Sequence, residues 1–263
     1  MWNNIVDFFT KKIASYKKYE SLPVQDRNFF IPAGTRIYAI GDVHGCYDAL
    51  AQKIILLGQD IKDHADKKNI LVMLGDYIDR GLGTKKVIDL LLKNIPDGCE
   101  AVFLKGNHEI YMLEFFKNPA SVPQWLEYGG LETLRSYGVI IPARPFDENK
   151  LRQMRDELVN NIPQEHHHFF NHLKVSFESG DYFFVHAGVN PDNLFYEQTE
   201  KDLTSIRKSF IEYKGYFDKK IIHGHTPSEE PEILHNRINL DTGAYLTGNL
   251  TMMVFEDDTY RLI

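Results

Sequence analysis

Short apolar runs that alternate with amphipathic stretches constrain the fold of this 263-residue chain more than any other feature. The first half predicts buried strands at residues 36–40, 70–74 and 101–104, and helices at residues 47–57, 84–93 and 109–117. Continuous apolar strands separated by helices are typical of βαβ units, in which helices cover a sheet.

The pattern changes between residues 118 and 171, where prolines interrupt helix-like segments. We interpret this region as a helical insertion near a functional site, with one charged helix at residues 151–159. Strands return at residues 173–178, 181–186, 220–222, 237–240 and 250–255, and a helix is predicted at residues 203–213. The chain therefore predicts an α/β fold in which two packed, mixed β-sheets are flanked by helices.

We assign residues 36–263 to this single domain and residues 1–35 to an N-terminal arm. The arm places Ile5, Phe8, Phe9 and Ile13 near helical spacing among lysines, which predicts a short helix packed against the domain. A helix that lies on a membrane surface or on a partner is the alternative for this segment.

Composition excludes several classes of function. The net charge of −7 gives no basic signal, so we expect no nucleic-acid partner. No apolar run reaches the roughly 18 residues of a spanning helix, so we expect no integral membrane segment. Cys46 and Cys99 are too far apart for a CxxC motif, and they favour a reducing, cytoplasmic setting.

Five polar clusters lie at the ends of predicted strands. They are GDVHG (41–45), GDYIDRG (75–81), GNHE (106–109), HAG (186–188) and HGHT (223–226). Ligands bind at strand ends in sheets of this kind, so these loops are expected to converge. Carboxylate, amide and imidazole groups together favour ions such as Mn, Fe or Zn. The clusters hold about twice the donors that one ion needs, which predicts a pair of ions suited to cleaving phosphate esters.

The same clusters resemble the phosphoprotein-phosphatase family of metallophosphoesterases, above all its bacterial and phage branch of serine/threonine phosphatases. The resemblance spans about residues 37–255 and includes DTGA (241–244) and GNLT (248–251). It implies the calcineurin-like metallophosphoesterase fold and two divalent metal ions, with Mn²⁺ preferred and Fe, Zn, Co or Ni as alternatives.

The resemblance also implies roles for individual residues. One metal would be held by Asp42, His44 and Asp76, and the second by Asp76, Asn107, His186 and His225. Phosphate oxygens would be bound by Arg80 and Arg207. His108 would be the general acid that protonates the leaving group, and Asp79 would pair with it.

The resulting hypothesis is metal-dependent hydrolysis of phosphate monoesters, with phosphoserine and phosphothreonine in proteins as the expected substrates. A metal-bridging hydroxide would attack phosphorus in line. The alternative is a symmetrical diadenosine-tetraphosphate (bis(5'-nucleosyl)-tetraphosphate) hydrolase, for which Trp125, Tyr128 and Arg135 of the insertion are candidate contacts. The expected partner is thus a phosphorylated protein or a small phosphoester. An inactive binding module would have lost some of these positions, whereas all of them are filled.

Four other features are not assigned a catalytic or metal-binding role. We expect the tract His166–His168 to be a solvated part of a helix, and Glu109 to anchor its loop through a hydrogen bond. His223 lies close enough to His225 to touch the site, although the resemblance does not require it. Tyr245 fits either the pocket or the packing around it.

Overall fold

The computed structural model describes residues 28–263, so the helix predicted within residues 1–27 lies outside the described part. It has ten strands: β1 (Thr35–Ile40), β2 (Lys68–Met73), β3 (Cys99–Phe103), β4 (Ser176–Ser179), β5 (Tyr182–Val185), β6 (Lys220–His223), β7 (Glu232–Ile233), β8 (Arg237–Asn239), β9 (Met252–Glu256) and β10 (Thr259–Leu262). Of these strands, β7 and β10 were not predicted, because two short edge strands carry little apolar signal.

The strands form two five-stranded mixed sheets, as predicted. The first sheet has the order β10-β9-β1-β2-β3, with β1, β2 and β3 parallel and β9 antiparallel to β1. The second has the order β4-β5-β6-β8-β7, with β5, β6 and β8 parallel. An isolated parallel bridge between Leu104 and Lys174 connects the segments that follow β3 and precede β4.

The sheets pack face to face, and strand alternation decides which side chains meet. In β1, Ile37 and Ala39 join a cluster with Phe184 and Ile222 of the second sheet. Tyr38 and Ile40 point the other way, into the cluster formed with the helices. Both faces of β1 are therefore covered, which explains why it reads as a continuous apolar run.

Nine helices occur in the described part of the chain: α1 (Tyr47–Asp63), α2 (Thr84–Lys93), α3 (Asn107–Lys117), α4 (Gly130–Ser136), α5 (Glu148–Asn161), α6 (Gln164–Asn171), α7 (Glu200–Ser205), α8 (Lys208–Ile211) and α9 (Ala244–Thr247). Helix α1 buries Leu50, Ile54, Leu57 and Ile61, which form one stripe at helical spacing. None of the helices between residues 28 and 263 is long and apolar enough to cross a membrane.

The insertion at residues 118–171 contains short 3₁₀ turns at Pro119–Ser121 and Pro123–Leu126, followed by α4, α5 and α6. Its buried side chains, including Trp125, Met154 and Phe170, belong to the same core cluster as α1 and α2. At the other end of the chain, Phe29 and Ile31 of the proposed arm lie in the core between the sheets.

The single helix predicted at residues 203–213 is wrong. Helix α7 ends at Ser205, and Arg207 takes φ −134° and ψ −92° before α8 begins. The break leaves Arg207 exposed and lets Phe210 pack on His223, with ring centroids 4.9 Å apart. The strand predicted from residue 173 also begins later, at Ser176.

Candidate metal centre and active site

The loops that follow β1, β2, β5 and β6 meet at one edge of the two sheets. The backbone N–H of His44 donates to the carbonyl of Asp76 at 2.8 Å, and the N–H of Gly224 donates to the carbonyl of His186 at 2.8 Å. The side chains that these loops carry are nearly inaccessible to water: Asp42, His44, Asp76, His186 and His225. The predicted donors therefore come together in one buried cluster.

Asp76 lies at the centre of this cluster. Its Oδ2 is 3.5 Å from Nε2 of His44, and its Oδ1 is 3.4 Å from Nε2 of His186. The two oxygens thus face imidazoles on different sides, as a carboxylate shared by two cations requires. Oδ2 of Asp42 lies 4.0 Å from Nε2 of His44, and Oδ1 of Asn107 lies 3.2 Å from Nε2 of His186.

His225 gives the clearest evidence that this cluster fits a metal ion. Its Nε2 is buried and has no hydrogen-bond partner, which is costly for a ring nitrogen, and a cation bound there would remove this cost. Ligand atoms of Asp76, His186 and His225 all lie within 4.8 Å of one another. The backbone N–H of His225 donates to both oxygens of Asp42, at 3.2 and 3.1 Å, which connects the two halves of the cluster.

The electrostatics of the cluster also favour a cation. Burial raises the pKa of Asp42 well above its usual range, and the neighbouring Asp241 raises it further. Burial lowers the pKa of His44 to about 3. Burial also opposes the charged form of His186, yet Asp76 and Asp42 raise the pKa of this imidazole to about 10. Buried carboxylates this close to one another need positive charge nearby.

Backbone strain is concentrated in the same place. Six non-glycine residues between 28 and 263 have positive φ, and five of them belong to the predicted site: His44, Asp76, Asp79, Arg80 and His225. Such conformations cost roughly 1–3 kcal/mol each and persist where the surroundings enforce them, commonly at active sites.

His108 and Asp79 form a close pair beside the metal ligands. Nδ1 of His108 lies 2.6 Å from Oδ2 of Asp79, which fixes the orientation of the ring. Nε2 of His108 then faces Arg80, whose NH2 is 3.4 Å away. The guanidinium of Arg80 in turn lies over the ring of Tyr245, 4.2 Å from its centroid, so Tyr245 packs on a predicted site residue.

Arg207 lies at the rim rather than in the buried cluster. It is exposed, and its NH1 is 3.5 Å from Oγ1 of Thr226, the residue after His225. The structure thus places the two predicted phosphate-binding arginines differently: Arg80 is held against His108, and Arg207 approaches from the solvent side.

The interpretation of Glu109 as a loop anchor is confirmed. Its fully buried carboxylate accepts hydrogen bonds from the N–H groups of Asp76, Tyr77 and Gly106, at 3.0, 2.8 and 2.9 Å. His223, in contrast, contacts Arg237, whose NH1 is 3.2 Å from its Nε2.

The expectation of a solvated histidine tract is wrong for His166. This residue is fully buried, and its Nδ1 lies 2.9 Å from the hydroxyl of Tyr137. Its Nε2 faces Asp89 at 3.6 Å, where Lys93 bridges the carboxylates of Asp89 and Glu165. His166 occupies the apolar side of α6, because Phe169 and Phe170 turn that side inward.

No role was predicted for two residues near the site, Asp241 and Thr133, and Trp125 was predicted to make a different contact. Asp241 is buried and interacts electrostatically with Asp42; its position after β8, in the DTGA segment, was an available signal. Trp125 and Thr133 both donate hydrogen bonds to Asp79, at 2.7 Å each. No local sequence signal connects them to it.

The chain is similar to known proteins over most of its length. Residues 35–258 match the sequence profile of the family described as calcineurin-like phosphoesterase. A protein of Oceanobacillus iheyensis named bis(5'-nucleosyl)-tetraphosphatase PrpE [asymmetrical] is 28% identical over 248 residues, covering 86% of this chain and 90% of its own. The protein of the same name from Halalkalibacterium halodurans is 28% identical over 238 residues, and the match covers 83% of this chain and 89% of that protein.

Solved structures share the fold. A putative diadenosine tetraphosphatase superposes with a TM-score of 0.55 at 18% identity, covering 90% of this chain and 98% of its own. A cold-active protein-tyrosine phosphatase of a psychrophile, Shewanella sp., gives a TM-score of 0.51 at 17% identity, covering 90% and 82%.

Proposed function

The chain belongs to the calcineurin-like phosphoesterase family, and we propose that it hydrolyses bis(5'-nucleosyl) tetraphosphates at the buried Asp–His cluster. Relatives named for this substrate match over more than four-fifths of the chain. They favour the dinucleotide over the phosphoprotein that the sequence led us to expect. Their names also specify asymmetrical cleavage, so we propose asymmetrical rather than symmetrical cleavage of the tetraphosphate.

Members of this family use divalent metal ions, and the cluster contains suitable ligands. In our proposal Asp42, His44 and Asp76 hold one ion, and Asn107, His186 and His225 hold the other together with Asp76. Mixed imidazole and carboxylate ligands suit Mn²⁺, which we propose, or Fe, Co, Ni and Zn, better than Ca²⁺. Bound ions would supply Lewis-acid polarisation of the phosphoryl oxygens.

The observation that carries the proposed hydrolysis of a phosphoester is the arrangement of His108 between Asp79 and Arg80. Arg80 presents a planar fork that suits phosphate oxygens, and stacking on Tyr245 restricts its motion. A phosphoryl group held by Arg80 would have its leaving oxygen near Nε2 of His108, because NH2 of Arg80 is 3.4 Å from that atom. His108 then donates a proton to the leaving group while Asp79 stabilises the imidazolium.

Two tyrosine rings lie near His108 and are candidate contacts for a nucleoside. The ring of Tyr111 is 6.5 Å from that of His108, and the ring of the half-exposed Tyr128 is 5.7 Å from Tyr111. Exposed aromatic rings of this kind stack on nucleobases. Trp125 is unavailable for this role because it is fully buried, and Arg135 pairs with Glu132 at 2.7 Å.

A substrate comparison with Mn-loaded protein tests this proposal. We expect the catalytic efficiency for diadenosine tetraphosphate to exceed that for a phosphoserine peptide by about a hundredfold or more, as recognition of a whole second binding group allows. Asymmetrical cleavage gives a nucleoside triphosphate and a nucleoside monophosphate. A preference for the phosphopeptide would overturn the choice of substrate, and two diphosphate products would overturn the choice of bond.

A further inference from the structure

The carboxylate of Asp79 has more hydrogen-bond donors than its pairing with His108 requires. It is completely buried. Its Oδ2 accepts from Nδ1 of His108 at 2.6 Å and from Nε1 of Trp125 at 2.7 Å, while its Oδ1 accepts from Oγ1 of Thr133 at 2.7 Å. Three donors at such distances fix the carboxylate in position and orientation.

Thr133 holds Asp79 at two points. Its Oγ1 also accepts from the backbone N–H of Asp79 at 2.8 Å, so hydroxyl and carboxylate form a closed ring of hydrogen bonds. Asp79 has φ +73°, a conformation that an aspartate keeps only when its surroundings enforce it. Thr133 therefore stabilises the strained backbone and the side chain together.

Trp125 is rigidly packed where it reaches Asp79. It is fully buried, its ring lies 4.9 Å from that of Phe115, and Gly130 approaches so closely that a Cβ there would be 2.6 Å from the indole. The indole N–H is consequently presented to Asp79 in one orientation, with no solvent to replace it.

We propose that Trp125 and Thr133 are positioning residues for proton donation by His108, so that the insertion forms part of the catalytic site. This inference rests on the proposed phosphoesterase function but not on the identity of the substrate. The two donors stabilise the negative charge of Asp79 in a site where burial opposes it. A fixed Asp79 in turn holds the ring of His108 so that Nε2 faces the leaving group.

Kinetics with aryl phosphates of different leaving groups test this role. Trp125→Phe removes the indole N–H and keeps a smaller aromatic ring, and Thr133→Val removes the hydroxyl at nearly constant volume. We expect turnover to fall about tenfold for phenyl phosphate, a poor leaving group, and by less than about threefold for nitrophenyl phosphate. KM and the number of bound Mn²⁺ ions should stay unchanged, because Asp79 is not among the proposed ligands.

Two controls separate positioning from packing. Tyr137→Phe removes another buried hydroxyl of the insertion, which contacts His166 rather than Asp79, and should leave the leaving-group dependence unchanged. Thr133→Ser restores the hydroxyl and should recover turnover of phenyl phosphate. If Trp125→Phe does not fold, Thr133→Val and Thr133→Ser make the same comparison.

An NMR measurement provides a readout independent of activity. The chain has two tryptophans, Trp2 and Trp125, so Trp2→Phe assigns the two indole N–H signals. A hydrogen bond of 2.7 Å to a carboxylate should shift the Trp125 signal downfield, and Asp79→Asn should reverse part of this shift.

The outcomes distinguish the positioning role of Trp125 and Thr133 from the general-acid role of His108. Equal losses for both aryl phosphates, no loss, or an indole signal insensitive to Asp79→Asn would overturn the positioning role. His108→Ala, measured on the same substrates, tests the general acid itself. Uniform losses in that variant would refute the proposed role of His108, whereas a selective loss there but not in Trp125→Phe and Thr133→Val would refute only the positioning.

Discussion

Replacing Gly106 by alanine should displace the carboxylate that both metals are proposed to share. Gly106 has φ −95° and ψ 174°, an extended backbone that any residue adopts, so the substitution causes no backbone strain. A Cβ there would lie 2.0 Å from Oδ1 of Asp76 and 2.6 Å from its backbone nitrogen. The effect of the variant is therefore steric and directed at one residue, Asp76, whose side chain and backbone would both have to move.

The size of the effect follows from these distances. An ordinary contact needs about 3.5 Å, so Oδ1 of Asp76 must retreat by roughly 1.5 Å. This oxygen accepts a hydrogen bond from the N–H of His108 at 3.1 Å and lies 3.4 Å from Nε2 of His186. The retreat would break both contacts. Overpacking costs about 1–3 kcal/mol of folding free energy, and a misplacement of about 1 Å commonly costs about a hundredfold in rate.

The assay compares bound Mn²⁺, the Mn-dependent rise in melting temperature and kcat/KM for nitrophenyl phosphate. Gly58→Ala is the control, since Gly58 lies inside α1 and a Cβ there would meet Pro96 at an ordinary 3.5 Å. We expect the control to keep full activity and to gain about 0.5–1 kcal/mol of stability. Gly106→Ala should lose the Mn-dependent stabilisation and about a hundredfold in kcat/KM.

A folded Gly106→Ala protein with wild-type metal content and turnover would refute this reasoning. It would mean that the carboxylate of Asp76 does not need its position between His44 and His186, and hence that it bridges no metals.

Three further predictions address the metals, the substrate and stability. Asp76→Asn should weaken both metal positions together, so elemental analysis should find fewer than about one ion per chain; two retained ions would refute bridging. Tyr128→Ala should raise KM for the dinucleotide about tenfold while leaving nitrophenyl phosphate unaffected, as loss of one stacked base predicts; Tyr260→Ala, on the edge strand β10, is the control, and equal effects on both substrates would contradict the stacking. Partial burial raises the pKa of Asp60, but hydrogen bonds from Tyr38 and Arg36 hold it below its usual range overall. The stability that ionised Asp60 contributes is present above the ordinary aspartate pKa of about 3.9 and is lost as pH falls. In urea unfolding, the free energy of unfolding of the wild type should therefore exceed that of Asp60→Asn by an amount that shrinks as pH falls below about 4, and a constant or growing difference would contradict this sign.

The sequence by itself predicted the two-sheet fold and the convergence of Asp42, His44, Asp76, His186 and His225. Both follow from short-range information. Apolar periodicity locates strands, and the carboxyl ends of parallel strands share one edge of a sheet, so polar residues placed just after strands must meet.

Tertiary structure alone decided the environment of Asp79 and the position of Arg207. Trp125 and Thr133 are separated from Asp79 by 46 and 54 residues, and they reach it because the insertion packs on the core. Arg207 is exposed at a break between two helices, α7 and α8, which the apolar periodicity predicts as a single helix. Such contacts depend on how apolar surfaces from distant segments pack into a common core. The local sequence pattern does not indicate which distant segments pack together.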